Sequence, residues 1–165
     1  MGPRAARGPG KSLEVVLIAT IGDRARRSYS DGVRLFLADE AWSELTSGPE
    51  PVVRVAAGDL QQARRTRDRL RGDDGAVAVI LDVTVAVAGD VRAAYASLGS
   101  DGSAGGVRYT GTVSGLAGLL ADIETAGVAD GVTLVGASPR QDQSELAELG
   151  RTVLTLLEQR GRACA

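Results

Sequence analysis

The sequence contains no histidine in its 165 residues. Because imidazole is the usual general base near neutral pH and a common zinc ligand, its absence excludes Ser-His-Asp and Cys-His catalysis and most zinc sites. The single cysteine, Cys164, excludes an internal disulfide or a CxxC pair, as is usual for a reducing compartment. We therefore expect a cytoplasmic protein whose function does not depend on imidazole or on paired thiols.

Aromatic rings and an excess of one charge are also scarce. Aromatic residues make up 3% of the chain, which leaves few rings for stacking on a planar ligand. The 19 basic and 21 acidic residues give a formal charge of −2, so the sequence offers no broad positive field, and we expect no nucleic-acid partner. No apolar run approaches the ~20 residues that a membrane span needs, and we expect no membrane association.

The composition predicts one folded domain. The chain is 44% hydrophobic and 24% charged, which is typical of globular proteins, and its length suits a single core. The segment 1–12 has the composition of a disordered start. We predict a single α/β domain over 13–161 and a short C-terminal tail over 162–165.

Apolar strand patterns and amphipathic helix patterns alternate along this domain. Strands are predicted from β-branched and aliphatic runs at 13–21, 33–37, 52–56, 76–88, 107–110 and 131–135. Alternation of this kind implies right-handed βαβ units and a mostly parallel sheet. Periodicity does not decide between an open sheet and part of a (β/α)8 barrel, although half a barrel fits this length.

Capping residues give the predicted helices their ends. Helices are predicted from Asp39 to Gly48, from Asp59 to Gly72, from 90 to 98, from Thr112 to Gly127, and over 144–160. The first of these contains Trp42 and Leu45. The arginine-rich face of the Asp59–Gly72 helix is expected to be solvated. Gly161 is expected to end the last helix.

Three groups of residues are candidates for binding or chemistry. Thr20, Gly22 and Arg24 follow the first predicted strand and together suit one anionic group, although a surface turn explains them equally well. Asp82 interrupts the most apolar strand, either as a carboxylate that faces a pocket or as a hydrogen-bonded structural residue. Thr112 begins a helix whose free amides could hold a phosphate, and plain capping is the alternative.

Four segments, taken in order, carry a resemblance to a known family. They read PVVRVAAGDLQQARRTRDRLR, VILDVTVAVAGDVRAAYASL, YTGTVSGLAGLLADIETAGVADGVTLVGASP and TVLTLLEQRG. Over 52–98 and 109–160 the chain resembles the C-terminal part of the bacterial-luciferase-like flavin-dependent monooxygenases, especially the nitrilotriacetate monooxygenase type. The third segment is the most specific, with a Gly-Thr turn at Gly111 and an Ala-Gly-x-x-Asp-Gly turn that ends at Gly131.

The resemblance implies a (β/α)8 barrel that holds reduced flavin mononucleotide (FMN) at the carboxyl ends of its strands. In that family oxygen adds to the flavin and then attacks a small organic substrate, so the cofactor supplies the chemistry. Thr20, Gly22 and Arg24 stand where the glycine- and serine-rich turn of the family is expected, and the segment from Phe36 to Asp39 is the alternative position for that turn. The first barrel strands have no counterpart, which implies a truncated half barrel that forms a homodimer or binds a chain supplying the missing half.

Three functional hypotheses follow from these patterns. The first is a truncated luciferase-like monooxygenase domain that binds FMN and is incomplete for catalysis alone, without a catalytic residue or a metal site of its own. The second is a non-catalytic α/β interaction module derived from that family. The third is a stand-alone small-molecule enzyme that uses Asp82 or Asp23, which lacks a visible second carboxylate for acid–base work.

Overall fold

The computed structural model describes residues 16–18, 32–72, 77–98, 105–138 and 141–163. These residues form an α/β fold in which strands and helices alternate, and the mostly parallel sheet is curled like half a barrel, as the sequence predicts. The segment 1–12 and the candidate residues Thr20, Gly22 and Arg24 lie outside the described residues.

Seven strands and four helices make up the described part of the chain. The strands are β1 (Val16–Ile18), β2 (Arg34–Leu37), β3 (Ser43–Glu44), β4 (Val52–Val55), β5 (Ala78–Val87), β6 (Val107–Gly111) and β7 (Gly131–Gly136). The helices are α1 (Leu60–Arg71), α2 (Val91–Ser97), α3 (Val113–Thr125) and α4 (Gln143–Ala163).

Strand β5 is the centre of the sheet. Its first half pairs in parallel with β4 and its second half with β6, while β7 pairs in parallel along its other side. Strand β2 is parallel to β7, and the short strands β1 and β3 are antiparallel to β4 and β2. The order β1-β4-β5-β7-β2-β3 therefore places β2 next to the last strand rather than next to its neighbour in the chain.

The main core lies between the sheet and the helices α1, α3 and α4. Alternate residues of β5, namely Leu81, Val83 and Val85, point into it and are at most 1% exposed. Leu116 and Leu120 of α3 are fully buried against them. The sequence predicts the strand from its continuous apolar run and the helix from its three-and-four leucine spacing.

Glycine allows α4 to lie directly on the end of the sheet. A Cβ at Gly150 would stand 2.5 Å from Cδ1 of Leu45 and close to Leu37. Because those leucines come from the β2–β3 region, the missing side chain sets how closely α4 approaches it.

A second, smaller cluster lies on the opposite side of the sheet around Trp42. The indole ring stacks on Phe36 with 4.6 Å between the ring centroids, and its Nε1 donates to Oγ1 of Thr133 at 3.0 Å. Trp42 has a φ of +48°, a left-handed conformation that is rare for a bulky side chain. The stacking and the buried hydrogen bond stabilise the ring against this backbone strain.

Most of the predicted helix ends are confirmed. Asp59 caps α1 by accepting from the amide of Gln62, whose own side chain accepts from the amide of Gly58. Thr112 caps α3, and Gly127 follows it with a φ of +63°, the left-handed conformation expected after a helix.

One predicted helix and one predicted helix end are wrong. The helix expected from Asp39 to Gly48 is instead a tight turn followed by β3, because the Asp39 carboxylate accepts from the amides of Ala41 and Ser43 within the turn. Gly161 does not end α4, which continues to Ala163 and takes in part of the predicted tail. A single glycine lowers helix stability by about 1 kcal/mol, which does not by itself end a long helix.

Candidate functional site

A cleft of about 790 Å³ opens at the amino-terminal edge of the parallel strands. The beginnings of β2, β5 and β7 form its floor, and the carboxyl ends of α1 and α3 form its sides. Its charged lining includes Arg34, Arg67, Arg71, Glu50 and Asp130. A volume of this size is sufficient for a small molecule.

Asp130 is the most heavily bonded residue of the cleft. Its Oδ1 accepts from Nε and Nη2 of Arg67 at 3.1 and 2.8 Å, and from Nη1 of Arg71 at 2.6 Å. Its Oδ2 accepts from the amide of Val79 at 3.0 Å, and its own carbonyl accepts from the amide of Arg34. One residue thus joins α1, β5 and β2 at the start of β7.

The surroundings of Asp130 keep it ionised. Burial by itself would raise the pKa of this carboxyl, but the hydrogen bonds from Arg67 and Val79 and the charges of Arg67 and Arg71 outweigh burial and lower the pKa below its ordinary value. A carboxylate that is held in its charged form and saturated with donors is poorly suited to act as a general acid or base.

Arg34 forms the second charged cluster of the cleft. Its Nε and Nη2 donate to the two carboxylate oxygens of Glu44 at 2.8 and 2.9 Å, and its Nη1 donates to the carbonyl of Glu50. This bidentate arrangement fixes both partners and neutralises an arginine that is largely buried. It also ties β3 and the loop before β4 to β2.

The arginines of the cleft also complete the end of a helix. Arg67 Nη1 donates to the carbonyl of Gly127 at 3.3 Å, just beyond the carboxyl end of α3, where carbonyl groups lack partners within the helix. The expectation that the arginine face of α1 is solvated is therefore wrong for Arg67 and Arg71, because Asp130 holds both. It is confirmed for Arg64, Arg65 and Arg69, which are exposed.

Asp82 lies on the side of β5 that faces away from the main core. Nε of Arg54, on the neighbouring strand β4, donates to its Oδ1 at 2.8 Å, and about a quarter of each side chain is exposed. The same guanidinium group lies 5.9 Å from the ring centroid of Trp42. This geometry supports the structural interpretation of Asp82, which links two adjacent parallel strands.

The side chains at the carboxyl ends of several strands cap backbone amides. Asp59 and Asp90 accept from amides in the first turns of α1 and α2. Thr112 Oγ1 accepts from the amide of Gly115, and the Tyr109 hydroxyl donates to the carbonyl of Thr112. These bonds favour the plain capping interpretation of Thr112.

Sequence reasoning missed the residue that organises the cleft. The sequence places Asp130 in the Ala-Gly-x-x-Asp-Gly turn, whereas its arginine partners, Arg67 and Arg71, lie 63 and 59 positions away along the chain. The spacing of Arg67 and Arg71, four residues apart on one side of a helix, was the available signal for a shared carboxylate. The candidate flavin residues Thr20, Gly22 and Arg24 lie outside the described residues, and Asp23 does too.

Comparisons with known proteins identify no relative. No family model, no curated protein and no solved structure matches this chain. Within the described ranges, no cluster of three or more Cys, Asp or Glu side chains could hold a metal ion. None of the described helices is both long enough and apolar enough to cross a bilayer.

Proposed function

We propose that this chain is a non-catalytic α/β binding module of luciferase-like descent that acts in association with another polypeptide. The partner is a second copy of the chain or a chain that supplies the missing half of the barrel. We place the chain in the cytoplasm, because its single cysteine cannot form an internal disulfide.

The observation that carries this proposal is the pairing of the carboxylates on and beside the strands. Glu44 is held by Arg34, Asp82 by Arg54, and Asp130 by two arginines. A carboxylate that already accepts from a guanidinium group is not available to take a proton from a substrate. In the part of the chain that the structure describes, no buried side-chain nitrogen or oxygen lacks a hydrogen-bond partner. These bonds stabilise the fold, and they occupy the carboxylates of Glu44, Asp82 and Asp130.

The edge of the sheet at β6 supports association. Among the described strands β6 pairs with β5 alone, so the backbone groups along its other edge have no strand partner within the described residues. Helix α2 packs beside β6 and exposes Val91 and Tyr95, which are 53% and 61% accessible. An open strand edge next to exposed apolar side chains favours contact with another chain.

The second candidate function is the truncated FMN-dependent monooxygenase domain that acts on a small organic substrate. The half-barrel sheet favours it, because that is the architecture which the resemblance implies. A fold by itself does not establish a function, and this candidate needs Thr20, Gly22 and Arg24 to bind the flavin phosphate.

Titration of the purified chain with FMN, followed by flavin fluorescence, separates the two candidates. The binding module is expected to leave the flavin emission unchanged apart from dilution, up to roughly millimolar concentrations. Saturable quenching with a dissociation constant of about 1 μM, equivalent to about −8 kcal/mol, would contradict the proposal and favour the flavin domain. The variant Arg24→Gln then provides the control, since it should weaken that quenching if Arg24 binds the phosphate.

A further inference from the structure

We draw no further inference here: the strongest candidate, the cleft between the beginnings of β2, β5 and β7 and the carboxyl ends of α1 and α3, belongs to the site already described, and its arginines are already paired with Glu44 and Asp130.

Discussion

Replacing Asp130 with Asn tests whether this carboxylate joins three elements of the fold. The substitution keeps the size of the side chain and one acceptor oxygen, but it removes the charge that Arg67 and Arg71 share. Hydrogen bonds to a charged group contribute roughly 1.5 to 3 kcal/mol. Because Asp130 is 18% exposed and Arg71 is 36% exposed, solvent screens part of the interaction, and we expect a loss of about 2 kcal/mol in the free energy of unfolding.

Urea denaturation followed by the emission of Trp42, the single tryptophan, measures this loss. With a denaturant slope of about 2 kcal/mol per molar urea, the midpoint of Asp130→Asn should fall by about 1 M at neutral pH. The matched control is Asp68→Asn on the exposed side of α1, for which a change below about 0.5 kcal/mol is expected.

The pH dependence of the same comparison gives an independent check. The pKa of Asp130 is lowered in the folded state, so its charge stabilises the fold fully above the unfolded pKa of about 3.9. That contribution is lost as the pH falls through the lowered folded pKa. The stability difference between the parent chain and Asp130→Asn should therefore be full at neutral pH and shrink below about pH 4. A midpoint unchanged by the substitution, or a gap that does not depend on pH, would refute the role assigned to Asp130.

Four further substitutions test the packing, the Trp42 hydrogen bond and the capping. Gly150→Ala should lower the free energy of unfolding by about 1 to 3 kcal/mol, because the new Cβ would meet Leu45. Gly161→Ala has open space around it and should raise that free energy by up to about 1 kcal/mol. Thermal melts in which both variants moved in the same direction would contradict this. Thr133→Val should lose about 1 to 3 kcal/mol and shift the emission of Trp42, because the indole N–H loses its acceptor; an unchanged spectrum and midpoint would count against that bond. Asp90→Ala should lose about 1 kcal/mol in urea denaturation, through loss of the α2 cap, and a neutral result would contradict the capping.

Local patterns were sufficient to predict most of the elements. A continuous apolar run predicts β5, and the leucine spacing together with Thr112 and Gly127 predicts α3, because these signals depend on residues close together in the chain. The region after β2 was predicted as a helix, since the alternative depends on the stacking of Trp42 on Phe36 and on its bond to Thr133, 91 positions away.

The strand order and the cleft depend on contacts that no local pattern specifies. The pairing of β2 with β7 joins the beginning of the described domain to its end, and alternation alone did not indicate it. The ion pairs of Arg54 with Asp82 and of Arg67 with Asp130 likewise join distant segments. Sequence reasoning could assign Asp82 a structural role, but it could not name the arginine that holds it.

The central claim is that this half barrel works in association with another chain, and the mass of the purified chain in solution tests it most directly. Sedimentation equilibrium over a range of concentrations should give a mass that rises with concentration toward twice the 16.9 kDa of the chain. The double variant Val91→Ser/Tyr95→Ser should shift the equilibrium toward the monomer if α2 lies at the contact. A folded, cooperatively melting 16.9 kDa monomer at every concentration would contradict the claim, because the half barrel would then be stable without a partner.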